Sequence, residues 1–550
     1  MPVSDTGDLN GAMITESYWP ADTSRPVLEL TAGDVLRRAA EAVPARAALI
    51  EAAPPGDALT GAERTDRVWT YAELLVDAEH AAAWLGSRFS PGEHVAVWAP
   101  NVPEWVVLQY GASLAGLVLV TANPALREAE LEYLLRQSGA VGVFYVDAFD
   151  GTDMAAVVDR VRVGLPELRE AVSLTRWLEH IGGTARRQLP RVAAEDPAQI
   201  QYTSGTMGFP KGALLHHRGL VTNAAFVAAR AGVPDGAVWV TALPLFHSGG
   251  CGLSVLGAAS ARGTLVLAQL FHPDLVMAAL HDWRAGLFAG VPEMYAALLA
   301  NPEFDAYDRK GCAILLSVGD AIPAALVEEA ERRFGASLST VYGQTELGSV
   351  VAQTGPSDAE EDRRETSGRP LWQAEVKIVD SSGAVVPVGV DGEICVRGYQ
   401  VMSEYFGMPE ATALTVDPDG WLHTGDVGVL DGRGFLRVTG RLKDVIVGGG
   451  ENIDPAEVEA ALARHPGVAA AAVVGVPDPE GGEQVAAVIT PDGPAPSAEA
   501  LREYVGGLLA PYKTPRSWYV ADSLPVTAMG RVQRFLLRRA IVEGGLSELS

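Results

Sequence analysis

Cysteine is scarce in this chain: Cys251, Cys312 and Cys395 are its three representatives in 550 residues. They are far apart and odd in number, so neither a disulfide framework nor a zinc site is expected. A reducing cytoplasm fits that usage. Basic charge is also in deficit, with 42 Lys and Arg against 69 Asp and Glu and a net charge of -27. Nucleic acid and anionic membrane surfaces both demand a basic footprint, so neither is expected as a partner. An anionic cofactor must then be met by a few locally placed lysines and arginines. The first twenty residues lack a basic start followed by an apolar core, which argues against a secretory signal. One stretch, 238–261, contains no Asp, Glu, Lys or Arg, but Pro244, His247 and several glycines interrupt it. A buried strand and helix around a pocket is the better reading of it than an integral membrane segment.

What is present describes a globular enzyme. Hydrophobic residues make up 48% and charged residues 20%, and the chain is too long for one core. Strand, helix and strand patterns over 94–100, 103–116 and 117–122 make a βαβ unit and imply a largely parallel sheet. Short apolar runs at 264–267, 286–290 and 313–318 continue the alternation, and 323–334 is amphipathic. From about residue 373 the texture changes to short alternating segments, 375–380, 392–397 and 434–439, separated by Gly and Asp turns. After Arg441 the order becomes strand, Gly-rich turn, helix (455–465), two strands (470–476, 484–490) and helix (497–509). The expected architecture is α/β. A large N-terminal domain of mostly parallel sheets with a β-rich subdomain spans 1–440, and a small mobile α+β domain spans 441–550. No period of 20 to 50 residues repeats, which excludes a solenoid or propeller.

The chemistry starts at Tyr202-Thr203-Ser204-Gly205-Thr206-Met207-Gly208-Phe209-Pro210-Lys211-Gly212. Its glycines let backbone approach a bulky anion, while hydroxyls and Lys211 supply donors and one positive charge. The spacing is not that of a Walker A loop. An ordinary surface turn would have the same composition, so the remainder of the chain decides. Five more motifs follow in order: Pro244-Leu245-Phe246-His247, Tyr342-Gly343-Gln344-Thr345-Glu346, Trp421-Leu422-His423-Thr424-Gly425-Asp426, Gly440-Arg441-Leu442-Lys443-Asp444 and Gly449-Gly450-Glu451-Asn452-Ile453-Asp454-Pro455. Together, from about Trp69 to Arg538, they resemble the adenylate-forming superfamily of acyl-CoA synthetases, luciferases and nonribosomal adenylation domains. Trp69-Thr70-Tyr71-Ala72-Glu73-Leu74 and the Gly-Glu-Asn form of the last motif look most like the bacterial acyl-CoA synthetase branch.

The resemblance implies ATP-dependent activation of a small-molecule carboxylate as an acyl-adenylate, followed by transfer to coenzyme A. By it, Thr203, Ser204, Gly205, Thr206, Gly208 and Lys211 would hold the outer phosphates. Glu346 would bind Mg²⁺, and Thr345 beside it would touch the α-phosphate. Tyr342 and Asp426 would hold the nucleoside, with Arg441 reinforcing Asp426. Lys443 corresponds to the hinge, and His247, Gly319 and Gly343 to the acyl pocket, although a lone histidine in an apolar run is often a packed core residue. Two positions depart from the pattern. Arg531 stands where relatives carry the adenylation lysine, and Met207 where they carry a second threonine. These departures keep two alternatives open: a ligase with a non-CoA acceptor, such as a diazotase using nitrite and an aryl amine, or an inactive nucleotide-binding relative. The pattern sets no oligomeric state.

Overall fold

The computed structural model describes residues 13–52, 66–184, 187–203, 210–319, 322–442, 446–448, 451–453, 455–478, 483–509, 513–526 and 532–549. Two large sheets carry the bulk of the chain. In the nine-stranded sheet, six strands run parallel: Ala47–Ala52, Thr264–Ala268, Val238–Thr241, Leu287–Gly290, Ile314–Ser317 and Ser337–Tyr342. In the seven-stranded sheet, Pro197–Thr203, Val118–Ala122, His94–Trp98, Gly142–Tyr145 and Glu170–Ser173 are parallel, and Lys211–His216 adds an antiparallel neighbour. Strands buried on both faces read as near-continuous apolar runs, as 118–122 and 264–268 do with one threonine each.

The helix Pro103–Ala115 shows why the sheets stay together. It is buried along its whole length and so has no polar face to offer water. Pro103 occupies its first turn, where a missing N–H costs nothing, and Gly116 ends it in the left-handed conformation at φ 69°. Trp105, Val106, Leu108 and Leu114 join one core with residues of both large sheets.

A five-stranded antiparallel sheet forms the β-rich part, ordered Tyr18–Trp19, Ala374–Val379, Gly392–Gly398, Leu422–Leu430 and Leu436–Arg441. The last strand begins two residues later than its alternation suggests. Asp431 accepts hydrogen bonds from the N–H groups of Arg433 and Phe435, and Gly434 takes φ +80°, so the turn absorbs 434 and 435. The first strand was invisible from local pattern because its partner lies some 350 residues away in sequence.

From residue 446 onward the chain builds its own core. A sheet of Val468–Pro477, Glu483–Pro491, Ser517–Val520 and Ser547–Glu548 packs with the helices Pro455–Leu462, Ala498–Gly506 and Arg534–Val542. The basic helix 534–542 is braced internally: Arg534 pairs with Glu459 at 2.8 Å and Arg538 with Glu483 at 2.8 Å. No helix among the described residues is long and apolar enough to cross a membrane.

Candidate active site

Parallel strands deliver their C-terminal ends to one edge, where α/β sheets place ligands. Thr241, Ser317 and Tyr342 end three strands of the nine-stranded sheet, and they lead into 244–247, 318–319 and 343–346. The segments that the sequence singled out therefore emerge side by side.

Asp426 is the centre of the polar cluster. Its side chain is 5% exposed, and three groups converge on its carboxylate. Tyr342 Oη donates to Oδ2 at 2.8 Å and Gln344 Nε2 to the same oxygen at 2.6 Å. Arg441 Nε lies 2.9 Å from Oδ1. Register explains that pair, since Asp426 and Arg441 are direct partners across the antiparallel strands Leu422–Leu430 and Leu436–Arg441. Gly425 at φ +70° turns the chain just before it, and Thr424 Oγ1 accepts the Asp426 N–H at 3.0 Å. Burial, followed by the neighbouring Asp426 charge, pushes the Tyr342 phenol far above its ordinary range, so it stays a proton donor.

Glu346 sits one turn further on, in the short 3₁₀ segment Thr345–Leu347. Tyr405 Oη donates to its Oε1 at 2.6 Å, and its carbonyl accepts from Met402 N–H at 2.8 Å. The Tyr405 phenol is raised by burial and then by Glu346, which keeps it protonated. Lys211 Nζ lies 4.6 Å from the centre of the same ring, a cation–π contact. Tyr405 thus joins Lys211 to the Glu346 carboxylate. It pairs across the sheet with Ala213, two residues from Lys211, which accounts for its reach. Thr203 pairs in register with Lys211 at the mouth of the hairpin.

His247 is half-buried, and its Nδ1 accepts the Gly249 N–H at 3.2 Å. Its carbonyl takes the N–H groups of Gly250 and Cys251, starting the π-helix Gly249–Leu256. Such wide turns recur at functional sites. The glycines are not equivalent. A Cβ on Gly250 would come 2.2 Å from the Pro244 carbonyl oxygen, whereas one on Gly249 would meet His247 Nδ1 and Val318 Cγ2 at 3.7 Å. A Cβ on Gly343 would fall 1.7 Å from the Ser349 carbonyl oxygen, and Gly319 adopts φ +99°. The 247–252 turn therefore lies against Val318 at Gly249 and against Ser349 at Gly252, and Gly343 packs on the backbone of the same Ser349.

Of the residues singled out from sequence, Thr203, Lys211, His247, Gly319, Tyr342, Gly343, Thr345, Glu346, Asp426 and Arg441 lie on these elements. Ser204, Gly205, Thr206, Met207, Gly208, Lys443 and Arg531 lie outside the described residues. Gln344, Thr424 and Tyr405 went unnamed as site residues. Gln344 and Thr424 stood inside motifs already quoted, whereas Tyr405 has no local signal and is found only through strand pairing.

The family model described as AMP-binding enzyme matches residues 36–406, and the AMP-binding enzyme C-terminal domain matches 457–531. A putative acyl-CoA synthetase of Bacillus subtilis is 34% identical, covering 94% of this chain and 98% of the relative. A feruloyl-CoA synthase of Amycolatopsis is 37% identical over 86% of this chain and 93% of its own length. Among solved structures, ATP-bound MatB from Rhodopseudomonas palustris superposes with a TM-score of 0.81 at 28% identity, covering 93% of this chain and 99% of that one.

Proposed function

The chain belongs to the AMP-binding enzyme family, as an AMP-forming ligase on the acyl-CoA synthetase branch of the adenylate-forming superfamily, and from that premise we propose the following reaction and roles. A small-molecule carboxylate attacks the α-phosphorus of ATP, releasing pyrophosphate and leaving an acyl-adenylate. The thiol of coenzyme A then attacks the acyl carbon, its proton passes to solvent, and AMP departs.

The convergence of Tyr342, Gln344 and Arg441 on buried Asp426 is the observation that carries this reading. Those three partners orient the carboxylate before ligand arrives, and the ribose hydroxyls take its remaining acceptor site and displace one of the three. Lys211, with Thr203 and the loop 204–208, neutralises the outer phosphates. Thr345 reaches the α-phosphate. Among the described residues Tyr405 alone is seen to hydrogen-bond the Glu346 carboxylate, at one oxygen, and a hard oxygen ligand beside phosphates suits Mg²⁺. The ion, when bound, would offset charge on the phosphates. His247, Gly319 and Gly343 line the acyl pocket, and Arg531 stands for the adenylation lysine with the sign of its charge kept. The chain divides into 1–440 and 441–550, with Lys443 at the hinge, and the enzyme works in the cytoplasm.

Incubating the enzyme with ATP, Mg²⁺, coenzyme A and a panel of aryl and medium-chain acids tests the reading. Acyl-CoA and AMP should form in equal amounts, and Arg531→Lys should raise the adenylation rate. AMP release only with nitrite and an aryl amine would assign the diazotase reaction instead. Silence of the wild type on every acid and also with nitrite, with activity in Arg531→Lys, would mark an inactive nucleotide-binding relative.

A further inference from the structure

The proposed reaction leaves one chemically distinctive cluster without a task. Glu393 and Cys395 alternate on the strand Gly392–Gly398 and so share one face of the five-stranded sheet. Cys395 pairs directly across the ladder with His423. The ligand atoms of Glu393, Cys395 and His423 all lie within 4.8 Å of one another. His423 Nδ1 is 2.8 Å from Glu393 Oε2 and 3.5 Å from Cys395 Sγ. Linear spacing gave no hint of this, because the three come from strands almost thirty residues apart.

Tetrahedral Zn²⁺, with bonds of about 2.0–2.1 Å to nitrogen and about 2.3 Å to sulfur, requires a nitrogen–sulfur edge of about 3.5 Å. The Nδ1–Sγ separation already has that length. The nitrogen–oxygen edge needs to open by about half an ångström to suit the same bond lengths. Cys395 is fully buried, while Glu393 and His423 are 18% and 33% exposed, so an ion has a way in from the His423 side. Beyond the imidazole, Asp417 Oδ2 stands 3.8 Å from Nε2, where an outer carboxylate orients a ligating histidine. Lys377 is the other cross-strand partner of Cys395. Its Nζ lies 4.3 Å from the centre of the Trp421 ring, and Arg397 stacks on that ring at 4.6 Å.

We propose that Glu393, Cys395 and His423 form a binding site for a divalent transition-metal ion of the Zn²⁺ class, with a fourth position for water. Binding forms a metal–thiolate bond, and the thiol proton leaves to solvent. Glu393 would ligate through Oε2, because its Oε1 accepts the Gly425 N–H at 3.1 Å. The ion would therefore brace the turn that carries Asp426. The inference is independent of which acid or acceptor the enzyme uses.

Titration of the full-length protein with Co²⁺, free of nucleotide, tests it. One equivalent should produce a thiolate-to-cobalt charge-transfer band that Zn²⁺ displaces, and Zn²⁺ should raise the Tm. Cys395→Ser should lose the band and the Tm shift, and Cys312→Ser should keep both. His423→Gln should weaken Zn²⁺ binding by at least the 10- to 100-fold typical of losing an outer partner. Circular dichroism establishes that the variants fold, and if Cys395→Ser does not, His423→Gln decides. Absence of the band in wild type, or its persistence at full strength in His423→Gln, would overturn the proposal.

Discussion

Tyr405 carries the most weight among residues outside the quoted motifs. Its hydroxyl is the donor seen on Glu346, and its ring sits under Lys211. Hydrogen bonds to a charged group contribute about 1.5–3 kcal/mol, so Tyr405→Phe should lower kcat/KM for MgATP by about 10- to 100-fold. Half-saturation with Mg²⁺ should rise in the same variant, measured at fixed free ATP. An unchanged Mg²⁺ dependence would separate Tyr405 from the carboxylate's function. Asp426, Arg441, Glu346 and Lys211 are reached in the sequence through the ordered motifs that carry the resemblance, because any one of those motifs alone reads equally well as a turn or a helix start. Tyr405 is not legible in that way, since a tyrosine near an exposed turn is ordinary until Ala213 is known to be its cross-strand partner.

At the level of elements, glycine positions separate requirement from tolerance. Gly343→Ala places a Cβ 1.7 Å from the Ser349 carbonyl oxygen and Gly250→Ala places one 2.2 Å from that of Pro244, so backbone must shift in both. Overpacking of this kind costs about 1–3 kcal/mol or more. Gly249→Ala meets its neighbours at 3.7 Å, an ordinary contact. Thermal melts should therefore show a clear fall in Tm for the first two and little change for Gly249→Ala. The third variant should instead change the ranking of acids by length. A Tm loss in Gly249→Ala as large as in Gly343→Ala would contradict the packing described. The βαβ unit at 94–122, the helix 324–334 and the small C-terminal unit are readable from apolar periodicity alone. The π-helix is not, because a Gly-rich uncharged run has no period to betray its turn. Nor are Tyr18–Trp19 and Ser547–Glu548, two-residue strands whose existence depends on distant partners.

The whole molecule depends on burying groups that water would otherwise hold. His217 at the start of the helix His217–Arg230 is buried, and burial draws its imidazole down from 6.5 to about 4. His216 shifts in the same direction, again through burial. The folded state favours neutral imidazole, so this contribution is fully present above pH 6.5 and is lost as pH falls from there towards 4. For His217 the loss amounts to ~3 kcal/mol. Denaturant midpoints measured between pH 7 and 4 should fall accordingly, and His217→Gln should flatten part of that slope. The acidic surplus of the chain leaves substrate anions to the few cations of the site. Acid-dependent exchange of labelled pyrophosphate into ATP, in wild type and Asp426→Asn, tests the central claim most directly. The account predicts exchange that requires a carboxylate and falls by at least about 100-fold in the variant, because losing a partner from a buried charge pair costs about 3–5 kcal/mol. Exchange in Asp426→Asn equal to that of wild type would contradict it.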